Sequence, residues 1–247
     1  METKRTTRKL STTVIVKAAL LAAASIVLTR FFSYMIPLGG LPALRIGFGT
    51  VPLIIAGMML GPLAGGIVGV VSDLTGFLIN PMGSMFHPGF TVTAALYGVL
   101  SGVLFKKIKI QNMKVNFNYI NAVMMVIFAT LIAWIVFRGE GLDFGNSQTI
   151  LMLVLMALVT ALFIVLPFVI STKFKNKSSQ IAFDKIAFAV SITYVINALF
   201  LNTLWLSMLL DKGFILLLPG RIVASVVTIP AYSWIIYSLS KVIKYTN

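Results

Sequence analysis

The chain has 247 residues, of which 59% are hydrophobic and 11% charged, and its mean hydropathy is +1.00. An ordinary soluble domain carries about 25% charged residues, so this composition excludes a water-soluble globular protein and indicates an integral membrane protein. The absence of cysteine excludes disulfides, thiolate metal ligands and cysteine nucleophiles. The net charge of +14 lies in short basic clusters between apolar segments, a pattern that sets membrane topology and argues against nucleic-acid binding.

Eight apolar segments follow one another along the chain. Each predicts a helix, because backbone polar groups within a bilayer must be bonded internally. The first is long enough to span and lacks a convincing cleavage site, so we interpret it as a mature helix and not as a signal peptide. The second is short and is separated from the third by Gly61-Pro62, which predicts a tight helical hairpin or a broken pair that does not reach both surfaces. The eight segments cover residues 13–34, 48–60, 63–80, 89–105, 119–137, 149–171, 187–210 and 218–239.

Lysine and arginine are distributed unequally between the two ends of these segments. Fifteen lie on one side and five on the other. Because basic loops stay in the cytoplasm, both termini are predicted to be cytoplasmic, in a single multi-pass domain (residues 1–247) of the plasma membrane. On the opposite side, three loops rich in proline, glycine and aromatic residues are expected to converge, at residues 35–45, 80–89 and 211–221.

Asp73 lies inside the third apolar segment. An ionisable group at bilayer depth costs about 2.5–3.5 kcal/mol on insertion scales, so it is normally retained for pairing, substrate contact or ion movement. Asp73 is therefore a candidate for substrate contact. The alternative is a structural carboxylate satisfied by Ser72, by a neighbouring helix or by an arginine.

Three arginines lie at segment ends on the side with few basic residues: Arg30, Arg45 and Arg221. Any one of them could simply extend its side chain to the membrane surface. Three together are harder to explain in this way. Guanidinium groups bind carboxylates in a bidentate manner, so the cluster is a candidate site for an anionic solute.

Aromatic and amide residues accompany these arginines. Phe48 and Phe90 lie nearby in the sequence, and Asn202 and Trp205 are three residues apart and so share one helix face. Such residues could bind a flat heterocycle, although aromatics at this depth usually form the interfacial belt or the core. A single histidine, His87, does not support a metal site.

Small residues in the first segment predict close helix packing, either inside the protein or against another membrane protein. They include Ala18, Ala19, Ala22 and Ala23. No P-loop, G-x-S-x-G or H-E-x-x-H motif occurs, so the chain is not predicted to be an enzyme, and active transport would need an outside energy source.

Several ordered motifs resemble those of the substrate-binding (S) components of energy-coupling factor (ECF) transporters, in particular the folate branch. The resemblance is carried by Leu44-Arg45-Ile46-Gly47-Phe48-Gly49, Ala56-Gly57-Met58-Met59-Leu60-Gly61-Pro62, Ser72-Asp73-Leu74, Pro88-Gly89-Phe90-Thr91, Asn202-Thr203-Leu204-Trp205 and Leu218-Pro219-Gly220-Arg221. It covers about residues 13–107 and 187–244.

This resemblance implies an all-α membrane bundle that binds a vitamin outside the cell and then topples in the bilayer to release it. The energy for transport would come from a transmembrane coupling subunit and two ATPases. The coupling subunit would dock on the alanines of the first helix. No cofactor is implied. S components have six helices. Residues 118–180 contain two further candidate helices. We therefore predict that they form an inserted helical pair, which brings the total to about eight helices.

For folate, the resemblance and the chemistry together suggest that Asp73 and Asn202 meet the pterin ring, that Trp205 or Phe90 stacks on it, and that the three arginines bind the glutamate tail. An S component for pantothenate, cobalamin or a queuosine precursor is the alternative within the class. A stand-alone secondary transporter is disfavoured because only one carboxylate lies at depth and no inverted repeat is evident.

Overall fold

The computed structural model describes residues 11–38, 41–82, 85–138 and 181–242, together with Val154, Ala157, Leu158, Ala161 and Val165. Within these ranges the chain is mainly helical, which confirms the predicted fold class. The main helices are α1 (Thr12–Arg30), α2 (Thr50–Leu60), α3 (Pro62–Ile79), α4 (Pro88–Gly102), α5 (Asn118–Arg138), α6 (Phe183–Tyr194), α7 (Asn202–Leu210) and α8 (Phe214–Val242).

Two of these helices contain or continue into a π-helical turn. The segment Val103–Lys107 extends α4, and Val195–Leu201 joins α6 to α7, so that one continuous helix runs over Phe183–Leu210. By length and composition, five helices of the described residues could cross a membrane: Thr12–Arg30, Pro62–Ile79, Pro88–Lys107, Phe183–Leu210 and Gly220–Lys241. The predicted count of eight is not confirmed, since most of residues 149–171 lies outside the described ranges.

Helix α2 is too short to span. Its 11 residues extend about 16 Å, roughly half of the hydrocarbon thickness. Gly61 ends it with φ of 95°, a backbone conformation that favours glycine, and its N–H donates to Gly57 O at 2.9 Å. Pro62 then starts α3, where the missing N–H costs nothing. The Gly61-Pro62 pair therefore makes a tight helical hairpin that leaves the other end of α2 within the protein.

Residues 35–45, predicted as a loop, belong largely to an antiparallel β-hairpin. Strand β1 (Ser33–Leu38) pairs with β2 (Leu41–Gly47), with Met35 opposite Arg45. The sequence contains a signal for a hairpin, because Gly39-Gly40 separates two apolar runs. Pairing of the two strands provides hydrogen bonds for backbone N–H and C=O groups that would otherwise have to be bonded within a helix.

The two ends of the bundle differ in charge. One end of the bundle, called here the hairpin end, holds the β-hairpin. It also includes the last turns of α1, α3 and α7 and the first turns of α4 and α8. The opposite end, called the lysine end, includes Lys106, Lys107, Lys185 and Lys241. The helices meet around a main apolar core that includes Ile54, Met58, Ile186, Val226 and Ile229.

Helix α5 packs on α6 and α8, whereas α1 packs on α2 and α3. The first turn of α5 is fixed at the lysine end by Asp184, whose carboxylate accepts from the backbone N–H of Phe117 at 3.0 Å. The Asn121 side chain donates to Asp184 O, also at 3.0 Å. The start of the predicted insertion is thus held against the first turn of α6, where the chain returns to the core.

Candidate ligand-binding site

A cavity of about 490 Å³ lies at the hairpin end. This volume is within the range of about 300–1,000 Å³ typical of small-molecule sites. The β-hairpin, α1, α3 and α4 line one part of the cavity, and the continuous helix α6–α7 and α8 line the other. The cavity therefore lies between helices that are far apart in the sequence.

Six of the eight predicted substrate-binding residues line this cavity, and two do not. The lining includes Arg30, Arg45, Asp73, Phe90, Asn202 and Arg221, while Phe48 and Trp205 lie outside it. Helical periodicity alone could not place these six together, because they come from six different elements.

Arg30 and Asp73 form an ion pair, with 3.7 Å between Arg30 Nη2 and Asp73 Oδ1. Arg30 Nη1 also donates to the carbonyl oxygen of Asn80 at 3.0 Å. The other carboxylate oxygen, Asp73 Oδ2, accepts from Thr91 Oγ1 at 2.7 Å. Four residues from α1, α3 and α4 thus form one polar network at the edge of the cavity.

Arg45 reaches the cavity from strand β2. Burial lowers the pKa of its guanidinium from the ordinary value, the positive charge of Arg30 lowers it further, and the Asp73 carboxylate raises it. Because a guanidinium is not deprotonated in proteins, Arg45 still carries a positive charge. The cavity therefore contains two neighbouring cations and one anion on this side.

Arg221 and Asn202 lie on the other side of the cavity. Arg221 Nη1 donates at 3.0 Å to the carbonyl oxygen of Ala198, within the π-helical segment Val195–Leu201. The Oδ1 atom of Asn202 is buried and has no hydrogen-bond partner within the described part of the chain. A buried acceptor without a partner is costly, so it marks a position where a ligand donor would be favourable.

Trp205 is used for packing between α7 and α4. Its indole N–H donates to Thr93 Oγ1 at 3.1 Å, and its ring centroid is 5.7 Å from that of His87. The ring also lies directly over Gly89, where a methyl group would overlap it. Trp205 thus supports the start of α4, which carries Phe90 into the cavity.

Phe48 lies just before α2, with 43% of its surface exposed and its ring 6.1 Å from that of Tyr232. The Tyr232 hydroxyl donates to the carbonyl oxygen of Gly47. Phe48 and Tyr232 therefore attach the end of the β-hairpin to α8.

Three tyrosines that are not among the eight predicted substrate-binding residues line the deep part of the cavity. Tyr97, Tyr194 and Tyr232 are all buried there. Their signal in the sequence is a phenolic hydroxyl in the middle of an apolar helix, since a buried tyrosine usually needs a hydrogen-bond partner. This signal is weak because it does not distinguish a cavity from a core.

Within the described residues, no group of three or more His, Cys, Asp or Glu side chains could hold a metal ion. His87 is instead the N-cap of α4, where its Nδ1 accepts from the backbone N–H of Gly89 at 3.2 Å. The site is therefore built from arginines, one carboxylate, one amide and aromatic rings, a set suited to a flat anionic solute.

The four alanines of α1 point in two directions. Ala22 is buried in the core and Ala18 packs partly against it, so Ala22 is not available to another protein. Ala19 and Ala23 are exposed on the outer face. Internal packing thus applies to Ala18 and Ala22, whereas a docking surface remains a prediction for Ala19 and Ala23.

Comparison with known proteins places this chain in a family. The curated folate transporter FolT of Clostridium novyi (strain NT) is 43% identical over 100 residues, a match that covers 40% of this chain and 55% of that protein. A crystal structure of FolT bound with folic acid has the same fold, with a TM-score of 0.56, 20% identity and coverage of 96% of this chain and 98% of that one. The family model described as "ECF transporter, substrate-specific component" matches residues 13–142, more than half of the chain. The chain therefore belongs to the family of ECF transporter substrate-specific components.

Proposed function

We propose that this multi-pass membrane protein binds folate and delivers it through an ECF-type importer. The observation that carries the proposal is the cavity at the hairpin end, where Arg30, Arg45 and Arg221 lie with Asn202 and aromatic rings. Folate combines a flat heterocycle with a dianionic glutamate tail. Guanidinium groups suit the tail, while an amide and aromatic faces suit the ring. The similarity to two proteins named FolT supports the same ligand.

Mass spectrometry of small molecules released from the protein purified in mild detergent tests this proposal. We expect a folate species. Recovery of pantothenate, a cobalamin or a queuosine precursor would replace folate by that ligand within the same family.

Titration with folate tests the contribution of Arg45. Replacing Arg45 by alanine removes a charge that lines the cavity, and we expect folate affinity to fall about 10- to 100-fold, since hydrogen bonds to charged groups contribute about 1.5–3 kcal/mol. Lys212→Ala is the matched control, because Lys212 is exposed at the hairpin end and does not line the cavity. Equal affinities of Arg45→Ala and the unmodified protein would contradict the assignment of this cavity to folate.

We propose further that a coupling subunit and two ATPases energise the transport, since the chain has no P-loop. The coupling subunit would dock on the exposed face of α1 that carries Ala19 and Ala23. Ala19→Phe should reduce co-purification of the coupling subunit, whereas Val123→Phe on the exposed face of α5 should not. Retention of the coupling subunit by Ala19→Phe would place its docking surface elsewhere.

Both termini are proposed to lie in the cytoplasm, with the hairpin end outside. Because the chain has no cysteine, single introduced cysteines report sidedness without background. A membrane-impermeant thiol reagent added to intact cells should label Asp211→Cys at the hairpin end and leave Lys107→Cys unlabelled. The reverse pattern would invert the topology.

Residues 118–180 are proposed to form an insertion in an S-component core of residues 13–107 and 187–244. The family match extends to residue 142 and so includes α5. The proposal is supported by the contact between Phe117 and Asp184, which brings together the chain just before and just after the proposed insertion. Replacing residues 119–180 by a short linker should retain folate binding, and loss of binding in a folded variant would make these residues part of the binding unit.

A further inference from the structure

The Asp73 carboxylate already has partners inside the protein. Its Oδ2 atom accepts from Thr91 Oγ1 at 2.7 Å, and its Oδ1 atom is 3.7 Å from Arg30 Nη2. The side chain is 22% exposed. Each carboxylate oxygen thus faces one protein group, so the orientation of Asp73 is set within the protein before a ligand binds.

Arg30 is held even more tightly. Its side chain is only 5% exposed, and Nη1 donates to the carbonyl oxygen of Asn80 at 3.0 Å. Asn80 is the C-cap of α3, where unpaired carbonyls carry partial negative charge that favours a cation. The guanidinium passes over Gly76, where an added Cβ atom would lie 2.9 Å from Arg30 Nε. Helix α3 thus provides the cap, the carboxylate and the open space that together orient this one arginine.

Asp73 also relates the two arginines to each other. Its negative charge acts on both Arg30 and Arg45, while the two positive charges act against each other. Without the carboxylate, mutual repulsion would oppose placing both guanidiniums at the same edge of the cavity. With it, two guanidiniums line the same edge of the cavity, where their positive charges favour a ligand with two negative charges.

From this arrangement, and resting on the proposed folate function, we infer that Asp73 is a positioning residue for ligand binding. Held by Thr91, it orients Arg30 toward the anionic tail and does not read the heterocycle. Helices α1, α3 and α4 are joined at the same point, so the position of Arg30 depends on side chains from all three.

The test compares folate with its dimethyl ester, which keeps the ring and the shape of the tail but lacks both negative charges. The unmodified protein should prefer folate. In Asp73→Asn, which preserves shape, folate affinity should fall about tenfold while ester affinity changes little, since residues of one network share a coupling of about 0.5–3 kcal/mol. Thr91→Val should shift the preference in the same direction, and it is the second measurement if Asp73→Asn does not fold. Asp211→Asn, an exposed acid at the hairpin end outside the cavity, is the matched control.

A double variant separates positioning from direct contact. Because Asp73 acts through Arg30, Asp73→Asn combined with Arg30→Lys should lose no more folate affinity than Arg30→Lys alone. Equal losses for folate and its ester in Asp73→Asn would overturn the inference in favour of ring contact, and unchanged folate affinity would overturn it altogether. If the unmodified protein binds neither ligand, the proposed folate function itself fails and the inference falls with it.

Discussion

The two sides of the bundle that enclose the cavity pack in different ways. Between α2, α3 and α4 the backbones themselves touch: a methyl group on Gly98 would overlap the carbonyl oxygen of Gly65, and one on Gly57 would overlap that of Gly98. Between α6 and α8 large side chains make the contact: the ring centroids of Phe183 and Tyr237 are 5.3 Å apart, and those of Tyr194 and Tyr232 are 6.1 Å apart.

This difference explains where the cavity forms. Where glycines meet, the helix backbones touch and no space for a cavity remains between them. Such contacts are common in membranes, where packing drives the association of helices. Large side chains hold helices further apart, and a gap remains wherever they are not interleaved. The cavity lies where α4, which belongs to the glycine-packed side, faces the side packed by large side chains. Tyr97 of α4 and Tyr194 of α6 line it from opposite sides.

The largest effect is expected from breaking a backbone contact. Gly98→Ala places a methyl group against Gly65 O, where no flexible side chain can move aside. Overpacking typically costs about 1–3 kcal/mol, and we expect a loss at or above the upper value here. Thermal unfolding in detergent measures it, with Gly213→Ala as control because nothing lies within 4 Å of that position. Similar melting temperatures for the two variants would contradict the claim of backbone contact.

A smaller effect is expected from a change in α6, at the lysine end of the side packed by large side chains. Asp184→Ala removes the acceptor for the Phe117 N–H and should cost about 1–3 kcal/mol in stability, because that donor is left without its partner. Ligand affinity should not change, since Asp184 does not line the cavity. Thermal unfolding and folate titration on the same preparation check both parts. A loss of affinity without a loss of stability would show that this junction is coupled to the site.

The smallest effect is expected from trimming a buried side chain of α8 in the apolar core. Ile229→Val removes one buried methyl group and should cost about 0.5–1.5 kcal/mol, because the surrounding side chains can partly relax. The matched change Val227→Ala alters a residue of the same helix with 54% of its surface exposed and should cost less. A loss from Ile229→Val as large as that from Gly98→Ala would mean that the two sides are equally rigid.

Much of the candidate site could be predicted from the sequence. Arg30, Arg45 and Arg221 were selected because they run against the charge pattern, and Asp73 because a carboxylate at bilayer depth is costly; all four line the cavity. Trp205 was selected with Asn202 because they are three residues apart, yet only Asn202 faces the cavity. Two residues at this spacing are neighbours on a helix but still differ in direction, and Gly89 gives the larger ring a place to pack.

The sequence by itself determined that the protein lies in a membrane, that it is built from helices, and that its two ends differ in basic charge. These properties depend on local composition: apolar length, Gly61-Pro62 as a helix break, and the position of each lysine and arginine. The tertiary structure alone decided that Asp73 is bound to Arg30 and Thr91, that Ala22 faces inward while Ala23 faces outward, and that three tyrosines line the deep part of the cavity. The physical reason is that helical periodicity fixes which residues share a face, whereas the neighbour that each face meets depends on how closely glycines and large side chains allow the helices to approach.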